Sequence, residues 1–102
     1  MELLTEELRK VLPPIYSQEA DLDPIVYARF VLPGTNWAWH VAEGEAQEKD
    51  FLFFGYVVGP ETEFDFFLLS QLEVIRTPSG AQVERDLTFT EGRLTDVVAP
   101  DP

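Results

Sequence analysis

The sequence predicts an α+β domain built on a mostly antiparallel sheet of four to five strands, with an N-terminal helix and one or two short helices after strand four. Three observations carry this prediction. A helix-period apolar pattern opens the chain; from Ile25 the period switches to two for several runs; and the connections between those runs are shorter than the dozen or so residues that a parallel crossover needs. With 102 residues, 45% of them hydrophobic and 13% aromatic, the chain has material for one core without disulfide staples. It is read as a single domain over 1–102, with 99–102 as a flexible tail.

The first element lies in Leu3 to Leu12, where apolar residues at 4, 8, 11 and 12 share one side of a helix. Thr5 is its cap. Glu6 and Glu7 fall in the first turn and Arg9 and Lys10 in the last, each at the helix end whose dipole favours its sign, and Pro13-Pro14 stops the helix. An acidic connector follows to Pro24. The first strand, Ile25 to Leu32, puts Val26, Ala28, Phe30 and Leu32 on one buried face, and Pro33-Gly34-Thr35-Asn36 turns into a second strand from Trp37 to Glu43. Gly44 to Asp50 reads as a charged connection. Phe51 to Val58 is apolar on both faces, as a central strand would be, and Phe64 to Leu69 is the fourth run. Ser70-Gln71-Leu72-Glu73 has the spacing of a capping box opening a helix of about two turns, which Thr77-Pro78-Ser79-Gly80 ends. Glu84 to Phe89 is a fifth strand, and Leu94 to Val98 a final helical turn.

Composition excludes several function classes. The absence of cysteine removes disulfides, thiolate metal sites and cysteine nucleophiles, and a single histidine, His40, removes any multi-histidine centre. No glycine-rich phosphate loop and no nucleophile elbow is present. Nineteen acids against seven bases give a net charge of −12, which opposes direct binding to a nucleic acid backbone. No run approaches the length of a membrane helix and the start lacks the order of a signal peptide, so the expectation is a soluble, cytoplasmic protein.

The succession LLTEELRKVLPPIYSQE, DPIVYARF, NWAWHVAEGE, DFLFFGYVVG, LSQLE and ERDLTF resembles a family of small, single-domain bacterial proteins of unknown function associated with plasmids and other mobile elements. The resemblance spans about Leu3 to Phe89. It implies no catalytic residues, and it implies an aromatic residue where His40 stands; no cofactor is expected.

Among candidate sites, His40 with Glu43 would make a base and its partner, but strict alternation points them to opposite faces unless the strand bends. Glu19, Asp21 and Asp23 begin like a calcium loop yet lack its glycine and terminal glutamate, and Glu84 with Asp86 offers two carboxylates on what reads equally well as a charged edge strand. No metal site is assigned. Trp37 and Trp39, with Tyr27 and Tyr56 as neighbours, read as core rather than as a stacking platform. In an up-and-down meander the connector before strand one and the connection between strands two and three share one end of the sheet. Glu19, Asp21, Asp23, Glu43, Glu45, Glu48 and Asp50 converge there, with Lys49 as the main opposing charge. The leading expectation is therefore a non-enzymatic interaction protein whose acidic pole, the partner-binding residues, occupies a basic and nucleic-acid-binding surface of another protein as a DNA mimic would. A small metal-assisted hydrolase and a self-associating structural subunit are the alternatives.

Overall fold

In the computed structural model, which describes residues 2–98, a five-stranded antiparallel sheet carries the first two helices on one face. The elements in chain order are α1 (Glu6–Val11), β1 (Ile25–Val26), β2 (Ala28–Val31), β3 (Ala38–Gln47), β4 (Asp50–Val58), β5 (Glu63–Leu68), α2 (Leu69–Glu73), β6 (Glu84–Arg85), β7 (Gly92–Arg93) and α3 (Leu94–Val97). The sheet order is β5-β4-β3-β2-β6, so the expected meander forms, flanked by a short return strand. The predicted α+β class is the observed one. The predicted tail, 99–102, lies outside the described residues.

The core lies between the sheet and its helices. Phe53 is at its centre, ringed by Phe30, Phe51 and Phe67 at centroid distances of 5.6, 5.0 and 5.5 Å. Leu4, Leu8 and Leu12 from the α1 segment and Leu72 from α2 close the other side. The Thr5 Oγ1 accepts from the Leu8 amide at 3.2 Å, as the sequence predicts for the cap of α1. Val11 departs from the predicted stripe and is exposed, because the six-residue helix ends there and Leu12, already extended, turns into the core in its place.

Other departures have local causes. The first predicted strand divides: Ala28 to Val31 pairs with β3, whereas Ile25 and Val26 pair with β7, which the end of the chain brings alongside. β3 runs four residues past its predicted end, so the supposed connection from Gly44 is strand, and only Glu48 and Lys49 form the turn. The long apolar strand β4 requires a partner along its whole length, and this requirement outweighs the loop-like composition of Glu45 to Gln47. The helix after β5 starts at Leu69, before the predicted Ser70, and runs for only five residues. Its first turn is served by Gln71, whose Oε1 accepts from the Leu68 amide at 2.9 Å, and by Asp50, which accepts from the Ser70 amide at 3.2 Å. The expected strand over Glu84 to Phe89 shrinks to β6: the Asp86 amide still donates to the Arg29 carbonyl at 2.9 Å, but the chain then turns, the Phe89 amide donating back to the Asp86 carbonyl at 3.2 Å.

Candidate functional site

Opposite the helices, the sheet presents a second apolar face. On β4, Phe51, Phe53 and Val57 are buried in the core, while Leu52, Phe54, Tyr56 and Val58 point the other way and are half-buried. Register places Phe66 opposite Phe54 and Phe64 opposite Tyr56, and their rings form a continuous aromatic strip, Phe54 to Phe66 at 4.8 Å and Tyr56 to Phe64 at 5.1 Å. β4 is the central strand that its two-sided apolar character predicts, lying between β3 and β5, but its two faces differ. One side feeds the core and the other lines an open cleft.

The cleft is closed at one side by the acidic connector, and Glu43 holds that connector in place. A bulge between Val41 and Glu43 leaves Ala42 unpaired in β3, so His40 and Glu43, opposite Tyr56 and Phe54, come to the same face. The strand bend that the sequence reading required is thus present. Glu43 is nevertheless not a partner of His40. Its Oε1 accepts from the Tyr16 amide at 2.8 Å and its Oε2 from the Gln18 amide at 2.7 Å, while Glu45 Oε1 accepts from the Ile15 amide at 2.9 Å. Gln18 completes the attachment, donating to the carbonyls of Ile25 and Ala42 and accepting from the Ile25 amide. These bonds take the place of a neighbouring strand beside the second half of β3. They also hold Tyr16 at φ 73°, a left-handed conformation costly for a bulky residue, with its ring edge-on to Phe66 at 6.1 Å.

The result is a cavity of about 310 Å³ between connector and sheet. Tyr16, Leu22, Phe54, Phe64 and Phe66 supply its apolar lining, with Glu19, Asp21 and Glu43 along it. Four of the apolar residues are notably open, Tyr16 at 64%, Leu22 at 91%, Phe64 at 40% and Phe66 at 41% exposure.

The seven residues of the predicted pole have distinct placements. Glu19, Asp21 and Glu43 meet at the cleft, and Glu45, further along β3, accepts from the connector's Ile15 amide. Asp21 pairs with Arg93 at 2.9 Å. Asp23 accepts from the amide and hydroxyl of Thr95 at 2.8 and 2.9 Å and so fastens α3; the Thr95 amide bond is the largest influence holding its carboxyl below the ordinary value. Glu48, in the β3–β4 turn, is exposed at φ 53°. Asp50 turns to Ser70 at the start of α2, and that hydroxyl foremost lowers its pKa. Sequence reasoning missed Tyr16, Leu22, Phe54, Phe64 and Phe66; the signal was the surplus of apolar residues on the second faces of β4 and β5.

The remaining candidates resolve into structural roles. His40 is buried, its Nδ1 3.1 Å from the Tyr56 carbonyl, and burial pushes its pKa down. Trp39 is core as expected, whereas Trp37, expected in the core, is exposed and stacks on it at 5.6 Å; both lie on the face away from Tyr56, so the four-aromatic platform does not assemble. Asp86 accepts from Thr88 and from Arg29, which in that order hold its carboxyl down to about 2. Among the described residues no group of three acidic or histidine side chains is placed to hold a metal ion, and no helix is long and apolar enough to cross a membrane.

Residues 3–99 match the family described as Protein of unknown function (DUF2958). The chain belongs to this family. No curated protein matches it, and no solved structure does. The match bears out the expectation of a small domain of unknown function.

Proposed function

We propose that this member of the family is a non-enzymatic, acidic interaction protein that occupies a basic surface of a partner protein in the cytoplasm, and that it acts in the setting of plasmids and other mobile elements. The observation that carries the reading is the joining of a net charge of −12 to an open aromatic cleft along which Glu19 and Asp21 lie. Charge of one sign steers a basic partner and fixes its orientation, while apolar surface at the contact supplies the affinity that exposed charge alone does not. The partner's basic surface is of the nucleic-acid-binding kind, against which the exposed carboxylates stand in for phosphates. Direct contact with nucleic acid is opposed by the same charge. The mobile-element setting rests on the resemblance alone.

The test is affinity capture from a host lysate at low salt, followed by a salt gradient and identification of what elutes. The expected result is a basic, nucleic-acid-binding protein released as salt screens the contact. Retention of nucleic acid itself after bound proteins have been stripped from the immobilised chain, or capture of partners without basic character, would refute the reading.

A further inference from the structure

We propose that the cleft between the connector and the second face of the sheet is the docking groove for an apolar side chain flanked by Lys or Arg on the partner protein. This rests on the reading of the chain as an acidic interaction protein and adds where and how the partner is held. The cleft, about 310 Å³, is of the size that receives an anchoring side chain, and its lining is aromatic. Its lip is Tyr16, an exposed aromatic kept in a left-handed conformation by the buried Glu43 carboxylate. Strain in a bulky residue persists only where the surroundings over-determine it, and such positions gather at ligand-binding sites.

The occupant follows by charge and by edge chemistry. A second copy of this chain would bring another −12 against the acids of the cleft, so self-association there is opposed. An added β-strand is opposed as well, since the free edge of β5 is blunted: Asp65 Oδ1 accepts from the Phe66 amide at 2.8 Å and Gln71 Oε1 from the Leu68 amide. Glu19 beside an apolar lining, in a chain of net charge −12 and next to the Asp21–Arg93 pair, is complementary to a helix or irregular segment that carries Leu, Met or an aromatic residue next to basic ones.

The probe is a displayed library of short random peptides, selected on the intact protein and counter-selected on the double variant Phe64→Ser/Phe66→Ser. Both positions are well exposed, and a thermal melt checks that the variant is folded. Enriched peptides are expected to join an apolar residue to neighbouring Lys or Arg, to lose at least about tenfold in affinity on the double variant, and to weaken several-fold on Glu19→Lys. Amide shifts induced in the unsubstituted protein should centre on Tyr16, Phe54 and Phe64, which keeps the test decisive even if the double variant unfolds. Basic peptides that bind without an apolar anchor, and equally on the double variant, would overturn the groove while leaving the acidic interaction reading standing. Apolar peptides enriched without basic residues would overturn both. A concentration-dependent dimer abolished by the double variant would make a second copy the occupant and overturn the proposal, as would peptides whose shifts map elsewhere.

Discussion

Glu43, 2% exposed, accepts two backbone amides of the connector, so its carboxylate is a structural acceptor before it is a surface charge. Glu43→Gln replaces one acceptor oxygen with a donor and sets an N–H against an N–H. A bond to a charged acceptor is worth roughly 1.5–3 kcal/mol, so the substitution is expected to destabilise by about 2 kcal/mol and to speed hydrogen exchange at the Tyr16 and Gln18 amides. Unchanged exchange at both would show that the connector is held by other means. Two further residues act in separate pH windows. Thr88 and then Arg29 hold Asp86 at about 2, below its ordinary 3.8, so its contribution is complete above the unfolded value and is lost as pH falls through about 2. Asp86→Asn should flatten that acid limb of the stability curve and leave the neutral limb in place. His40 is shifted in the direction that disfavours its cation, by burial first, with the Tyr56 carbonyl opposing and Arg29 adding. A depressed histidine contributes fully above its unfolded value of 6.5 and loses that contribution as pH falls from there toward the folded value. His40→Phe should therefore cost less than about 1.5 kcal/mol at neutral pH, as a packing change of similar shape, and remove the loss below pH 6.5. A stability profile that keeps its slope there in the variant would contradict the assignment.

At the scale of elements, the β3 bulge decides which side chains reach the cleft, and it depends on Gly55 across the ladder. A Cβ on Gly55 would lie 1.9 Å from the His40 carbonyl oxygen, a backbone atom that cannot step aside. Gly55→Ala is expected to cost more than about 3 kcal/mol, or to shift the β3–β4 register, which denaturant titration and the amide spectrum of β4 would report. A fully stable Gly55→Ala protein with unchanged chemical shifts would remove this constraint from the account. The meander itself was legible in the period-two runs and their short turns, and α1 in its cap and charge order, because local patterns determine those features. The extension of β3 to Gln47 was not legible, since charged residues at a strand end look like a loop until β4 is known to lie beside them. The bulge was equally hidden, as it depends on which residue opposes which across the ladder. The cleft was half visible: apolar residues on both faces of β4 were evident, but only the connector's docking through Glu43 and Gln18 tells which face is open. The acidic pole was read from order along the chain, whereas Asp23 and Asp50 prove to bind Thr95 and Ser70.

For the whole molecule, the balance of nineteen acids and seven bases sets two effects against each other, self-repulsion within the fold and attraction toward a basic partner. The extents of 40 × 39 × 24 Å exceed the Debye length of about 8 Å at physiological salt, so distant acids are screened from one another and local crowding governs both effects. Neutralising acids at the cleft should thus differ from neutralising the same number elsewhere. The variant Glu19→Gln/Asp21→Asn/Glu45→Gln removes charge beside the connector, and Glu61→Gln/Glu63→Gln/Glu73→Gln removes an equal charge near Trp37 and α2. The second set should be equally or slightly more stable than the parent at low salt, by up to about 1 kcal/mol, with the gain disappearing at high salt. The cleft set loses part of this gain, because Asp21 gives up its pair with Arg93. Association with a partner recovered by salt-sensitive capture should be slowed about five- to tenfold by the cleft set at low salt and much less by the distant set, since steering depends on where charge meets the docking patch. Equal slowing by both sets would assign the effect to net charge and reject a localised surface. No slowing by either would reject electrostatic recruitment as the basis of function.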